Sequence, residues 1–151
     1  EYFVLLNNDT VVPPGWLEAL EQPFLHDPLC AISGPTGCAL NDDFLGHPSK
    51  HVEFIEGSCL MIRTSLAREI GLFDPKLIGA YGEDADLSLR VRQLGLTIHT
   101  VPIDIKHLGG ATSSMVPQAN TWLTQNLAYL KTKWADYLKT RTFNAPPHAT
   151  D

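Results

Sequence analysis

The sequence predicts an α/β or α+β domain built on a mixed sheet, and three observations carry that expectation. Apolar runs of buried-strand type stand at Tyr2-Phe3-Val4-Leu5-Leu6 and from Val52 to Ile62. Apolar residues recur at helical spacing after Gly82 (Leu87, Val91, Leu94) and again after Pro117 (Trp122, Leu123, Leu127, Leu130, Trp134, Leu138). Strands and helices interleave without a strict βαβ rhythm and without an internal repeat, which argues against an all-parallel sheet. A chain of 151 residues suits one domain with a real core.

Residues 2–6 form the first strand, ended by Asn7-Asn8-Asp9-Thr10. Domains seldom open inside a core strand, so this one is expected at a sheet edge or within a longer chain. Pro14 suits the first turn of a short helix from Gly15 to about Gln22, with Trp16, Leu17 and Leu20 on its apolar face. Ala31 to Pro35 is a short strand stopped by Gly34-Pro35, and the polar, turn-rich residues 36–51 read as a loop. Val52 to Ile62 reads as one long strand with a bulge or a close backbone approach at Gly57. Thr64 is placed to cap a helix to Ile70, with Gly71 as its stop, and Leu72 to Pro75 is a turn that sends Phe73 inward. Thr97 to Val101 and Ile103 to His107 are two more short strands. Residues 109–117 read as a mobile flap, Pro117 to about Lys139 as the longest helix, and residues 140–151 as a flexible tail outside a domain of residues 1–139.

The net charge is −6 and the Lys and Arg residues are scattered, which disfavours an electrostatic grip on nucleic acid or an anionic membrane. An acidic chain that handles phosphates would use a divalent cation rather than a basic cradle. Cys30, Cys38 and Cys59 are odd in number and lack CxxC spacing, so neither a disulfide framework nor a zinc knuckle is indicated, and a cytoplasmic setting fits. No apolar run approaches the roughly 20 residues of a membrane span, and no signal peptide precedes the first strand.

Chemistry concentrates in Gly79 to Leu94 (GAYGEDADLSLRVRQL). A Gly-rich, flexible loop runs into a helix whose first turn holds Glu83, Asp84 and Asp86, more negative charge than capping needs. Asp84 is the best general-base candidate, kept ionised by the helix N-terminus. Asp86 lies four residues before Arg90 and reads as a helix-face ion pair, while Glu83 would cap the helix or bind an acceptor hydroxyl. Asn7-Asn8-Asp9 closes a buried strand at the end where open α/β sheets place ligands, with Asp9 suited to Mg²⁺ or Mn²⁺ and the amides to sugar hydroxyls. The same four residues, Asn7 to Thr10, also make an ordinary turn. His107 ends a short strand before two glycines, where an imidazole beside a carboxylate suits Mn²⁺ or where a capped surface histidine would equally stand.

Taken in order, LLNNDTVVPPGWLEAL, IEGSCLMIRTSLAREIGLFD, YGEDADLSLRVRQLGL and VPIDIKHLGGATS resemble the second half of family-2, GT-A-fold inverting glycosyltransferases, rhamnosyltransferase-like members in particular. The resemblance covers residues 2–139. It implies a mixed-sheet, C-terminal part of a GT-A fold. Asn7-Asn8-Asp9 then stands at the DxD-type motif, with Asn7 replacing its first acid and Asp9 binding the metal, Mn²⁺ or Mg²⁺. Glu83-Asp84 stands at the ED motif, with Asp84 as base and Glu83 at the acceptor, and His107 completes the metal site. Gly57 and Ser58 stand where backbone approaches donor sugar and acceptor, and the 109–117 flap would close over the donor.

The implied partners are a nucleoside-diphosphate sugar donor and a saccharide or lipid-linked saccharide acceptor, in surface-polysaccharide or glycan synthesis. They carry no nucleic acid, and the lipid-linked acceptor would make the protein peripheral to a membrane. Residues 2–6 would offer a sheet edge for a homo-oligomer. A nucleotide-binding half of βα units is expected ahead of residue 1, so these residues alone are expected to transfer weakly. Two rival readings are a carbohydrate-binding or scaffolding module with a retired site, and a phosphoesterase using Asp9, Asp84 and His107. The first is disfavoured by the retained ligands and base, the second by too few Asp and His ligands for two metals.

Overall fold

The computed structural model describes residues 1–108 and 116–143, so most of the expected flap and the tail from residue 144 onward lie outside the described residues. A four-stranded mixed sheet has the order β1 (Tyr2–Leu6), β7 (Cys59–Arg63), β3 (Cys30–Gly34), β8 (Thr97–Thr100). Strand β7 runs antiparallel to both β1 and β3, and β8 runs parallel to β3. The alternation of side chains along β7 explains its unbroken apolar run. Cys59 and Met61 pack toward α1 (Trp16–His26), while Leu60 and Ile62 pack toward α2 (Thr64–Ile70) and α3 (Glu83–Gln93). Burial on both faces needs apolar residues at every position. Among the described residues β1 pairs on one side only and stands at the sheet edge, with Phe3 and Leu6 exposed.

Several expected elements are redrawn. Helix α1 runs through Pro23 to His26 instead of ending near Gln22, because Leu20 and Phe24 are buried against β3 and β7 and hold the chain on course. Residues 36–51 are a hairpin rather than a loop: β4 (Gly37–Leu40) pairs with β5 (Gly46–Pro48). The Asn41 carboxamide accepts from the Asp43 and Leu45 amides and shapes the turn. The single long strand expected over 52–62 is two strands in two sheets, β6 (Phe54–Ile55) on β4 and β7 in the main sheet. The chain changes sheet at Glu56-Gly57-Ser58. Thr64 is the first helical residue of α2 rather than its cap, and Phe73 is 42% exposed rather than turned inward.

Only Lys106–His107 of the expected strand 103–107 pairs, as β9 against β2 (Thr10–Val11). The expected long C-terminal helix is two, α4 (Ala119–Lys133) and α5 (Ala135–Thr140). They part at Trp134, whose ring is pulled inward to Asp86. Beyond α5 the chain stays packed: Phe143 stacks on Tyr137 with ring centroids 4.7 Å apart. All three cysteines are buried and free, and burial pushes the Cys30 thiol up to about 12 and the Cys59 thiol to about 11, which makes them inert packing groups.

The expected Asp86–Arg90 pair is present at 2.8 Å, but Asp86 is fully buried instead of lying on a solvated helix face. Its other oxygen accepts from the Trp134 indole at 2.8 Å and from Lys133 at 2.7 Å. Arg90 also donates to the Ile70, Gly71 and Leu72 carbonyls at the end of α2, and Lys133 reaches Asp74 at 2.6 Å. Removing a partner from such a network strands the remaining charges. Asp86→Ala is therefore expected to cost about 3–5 kcal/mol of stability, read as a lower urea midpoint with unchanged slope.

Candidate active site

Helix α3 follows its N-terminal cap Gly82, whose φ of 88° is left-handed and whose missing side chain leaves room for Leu130 of α4. Tyr81, one residue earlier, also sits at positive φ (84°), a strained conformation for a residue with a Cβ. The loop holding this geometry is pinned rather than flexible. Asn126, buried on α4, donates from its amide to the Ile78, Ala80 and Tyr81 carbonyls at 2.9–3.1 Å and accepts from the Ile78 N–H at 3.0 Å. One carboxamide thus occupies four backbone groups of the loop. No motif signals this asparagine, because its partners are distant backbone groups.

The Asp84 carboxylate accepts from the Gly57 N–H at 2.9 Å and from the Ala85 N–H at 2.8 Å. A Cβ at Gly57 would stand 3.2 Å from that of Asp84, so glycine here permits a close approach to the candidate base itself. The expectation that the helix N-terminus settles the ionisation of Asp84 needs correction. Burial raises its carboxyl above the ordinary range, with a smaller push from the Glu56 charge, against the pull of the amides of Gly57, Ala85 and Asp84. Desolvation outweighs the helix end. Glu83 is raised too, by burial and then by the Asp84 charge, and its Oε2 is buried with no hydrogen-bond partner among the described residues.

Asp9 and His107 come together because Thr10 pairs with His107 across β2 and β9 and the Leu108 amide donates to the Asp9 carbonyl. His107 Nε2 lies 3.2 Å from Asp9 Oδ1 and 3.4 Å from the Asn7 amide nitrogen, while Nδ1 lies 3.4 Å from Glu56 Oε1. Glu56 is the residue that sequence reasoning missed; its position beside Gly57 in the run IEGS was the available signal. A proton on Nδ1 facing Glu56 leaves the Nε2 lone pair converging with the Asp9 oxygen. Two oxygen or nitrogen ligands cis on an octahedral Mg²⁺ or Mn²⁺, each about 2.1 Å away, would be about 3 Å apart, close to this spacing. Among the described residues no three His, Cys, Asp or Glu side chains form a ready-made metal cage. The pair suits an ion that takes its remaining ligands from phosphate oxygens and water.

One cavity of about 690 Å³ gathers these groups: Asn7, Asn8, Asp9, Glu56, His107 and the Gly57-Ser58 turn at one end, Glu83 and Asp84 on its wall. Glu83, Asp84 and Gly57 also border a smaller cavity toward β1. Every sequence-predicted site residue is thus on one cavity. Asp86 is the carboxylate of the helix start that is not.

No protein-family profile and no curated protein sequence matches the chain. Among solved structures, the crystal structure of GalNAc-T7 with UDP, GalNAc and Mn²⁺ superposes with a TM-score of 0.71 at 18% identity. The chain has a GT-A fold. The superposition covers 91% of this chain and 32% of the GalNAc-T7 chain, so the GT-A portion seen here spans about a third of the length of that protein.

Two outcomes follow from the pinned loop and the raised acids. Asn126→Leu leaves the freed loop groups without partners and is expected to cost about 2–4 kcal/mol and speed hydrogen exchange at Ile78. Glu83→Gln should stabilise at pH 8 by about 1 kcal/mol, since it removes a charge that burial disfavours. A carboxyl with a raised folded pKa loses stability as pH rises, so the thermal midpoints of Glu83→Gln and the parent should converge as pH falls to about 4.

Proposed function

We propose that the chain is the catalytic part of a metal-dependent inverting glycosyltransferase, which moves a sugar from a nucleoside-diphosphate donor to a hydroxyl acceptor. The observation that carries this reading is the placement of the Asp9–His107 pair and the Asp84 carboxyl on one cavity of a GT-A fold. The reaction we assign is cell-surface polysaccharide or glycan synthesis of the rhamnosyltransferase-like kind, on the cytoplasmic side. The protein would meet a membrane through a lipid-linked acceptor. Among the described residues no helix is long and apolar enough to cross one.

In this reading Asp9 and His107 would hold Mn²⁺ or Mg²⁺, which would supply Lewis-acid charge compensation for a diphosphate leaving group. Glu56 orients the His107 ring through Nδ1. Asn7 and Asn8 offer amides to donor hydroxyls at the same end. Asp84 takes the acceptor hydroxyl proton as the acceptor oxygen bonds to the anomeric carbon. The bond from that carbon to the diphosphate breaks on the opposite side, and the electron pair leaves with the diphosphate. A carboxyl raised by burial is a stronger base than an exposed one, provided it is ionised when the acceptor arrives. The N–H groups of Gly57 and Ala85 aim it. Glu83, whose Oε2 has no partner among the described residues, would meet a second acceptor hydroxyl.

Calorimetric titration of the chain with Mn²⁺ tests the metal assignment. Asp9→Ala and His107→Ala should each weaken binding tenfold or more, and Asp84→Asn should leave it unchanged while lowering any transfer by about 10²–10⁴. Diphosphate release by these residues alone is expected to be slow. Rapid hydrolysis of a nucleotide sugar without acceptor would instead favour a phosphoesterase, and unaltered Mn²⁺ binding in Asp9→Ala would overturn the metal site.

A further inference from the structure

Strand β6 pairs with β4 along one edge, and no described strand pairs with its other edge. Side chains of α3 take that place. The Gly57 N–H donates to the Asp84 carboxylate at 2.9 Å, and the Ile55 N–H to the Ser88 hydroxyl at 3.2 Å. The Glu53 carbonyl accepts from Arg92 Nη1 at 3.2 Å. Residues four apart on the helix thus meet backbone groups two apart on the strand segment, which runs the opposite way. The steps match: four helical residues rise about 6.0 Å, and two extended residues span about 6.6 Å. Each step of four also turns about 40° around the helix, so the third position lies about 80° from the first. Short side chains, Asp84 and Ser88, serve the first two rungs, and a long arginine reaches back to make the third.

We propose that Ser88 and Arg92 are positioning residues for Asp84: they set how far along its axis α3 lies, and so where the carboxylate stands against Gly57. The proton-accepting task of Asp84 rests on the transferase reading, whereas the register does not. The Asp86 network reaches other elements largely through the long side chains of Arg90 and Lys133, which can follow a small axial shift. Ser88 cannot follow one. It is fully buried, its hydroxyl sits one bond beyond Cβ, and its contact with Ile55 is already at the long end of the N–H···O range. A slide that stretches this contact leaves a buried amide without an acceptor, which folding strongly disfavours. Arg92 anchors the far end. Its guanidinium also donates to the Tyr137 hydroxyl at 3.1 Å and lies over the Phe143 ring at 5.3 Å, which ties the ladder to α5 and the residues after it. Movements on this scale matter to a reacting group, since a misplacement of about 1 Å can cost about a hundredfold in rate.

The test is spectroscopic and uses the ¹⁵N-labelled chain without donor or metal. The Gly57 amide proton reports its bond to Asp84, and Asp84→Asn supplies the resonance position when the carboxylate is gone. Ser88→Ala should move the Gly57 amide proton at least halfway from the parent position toward that of Asp84→Asn, and speed its hydrogen exchange at least tenfold. Arg92→Met, at the half-buried far end, should move it in the same direction, and it decides the matter if Ser88→Ala does not fold. Phe24→Leu, in the cluster across the main sheet from α3, should lower the thermal midpoint and leave the Gly57 resonance in place. An unmoved Gly57 resonance in either ladder variant, or an equal shift in Phe24→Leu, would overturn the proposal. These outcomes are separate from the Mn²⁺ titration. A chain that binds Mn²⁺ through Asp9 with Gly57 unmoved loses only this inference, and one whose Gly57 shifts without Mn²⁺ binding loses only the metal assignment.

Discussion

The fully buried carboxylate of Asp86 is the constraint on which the rest of the arrangement depends. A charge removed from water must be met by opposite charge and hydrogen bonds, or the fold loses several kcal/mol. Asp86 meets Arg90 on its own helix, Lys133 and the Trp134 indole on the C-terminal helices. Arg90 then satisfies three carbonyls at the end of α2, and Lys133 reaches Asp74. Three helices are thereby fixed around one side chain, including the roll of α3 about its axis. At 3.6 residues per turn, Asp84 projects about 200° from Asp86 around α3. Locking Asp86 into the core is what aims Asp84 at the cavity.

The same helix start gives its three acids unequal environments. Asp86 is compensated by cations and is structural. Asp84 is held by two amides but is still raised by burial, and Glu83 has an oxygen with no partner among the described residues. A helix N-terminus favours an acid by only about 0.3–1 kcal/mol, which a buried carboxylate's desolvation exceeds. Dipole reasoning, applied to the sequence, therefore left out the larger influence on Asp84, which is burial. The strained Tyr81, the Gly82 start under Leu130 and the Asn126 carboxamide keep these acids in place.

What could be read from the sequence was local. The apolar run of β1, the 3.6-residue period of α3 and the i,i+4 spacing of Asp86 and Arg90 each express a rule that acts within a few residues. The order of the four motifs pointed to the GT-A fold. What could not be read acts across the chain. Glu56 matters because β9 brings His107 to it, Asn126 because it meets a loop far away in sequence, and Asp86 because Lys133 and Trp134 arrive from the far end. Gly57 was recognised as a close approach, but the partner was Asp84, and the same glycine splits one apparent strand between two sheets. Pro23 failed to stop α1 because burial of Phe24 outweighed the lost hydrogen bond.

The charge pattern of the cavity is one-sided. Asp9, Glu56, Glu83 and Asp84 line it, and His107 is the one basic side chain among its described lining residues. A diphosphate brought to such a wall would meet repulsion unless a divalent cation came with it, so under the proposed transferase reading the acidity around Asp9 suits a ligand that shares a metal. Asp84 is held where desolvation raises its carboxyl while the Gly57 and Ala85 amides keep it oriented. Under the proposed transferase reading, a carboxyl raised by burial yet aimed by two amides is what a proton-accepting group facing an uncharged nucleophile requires.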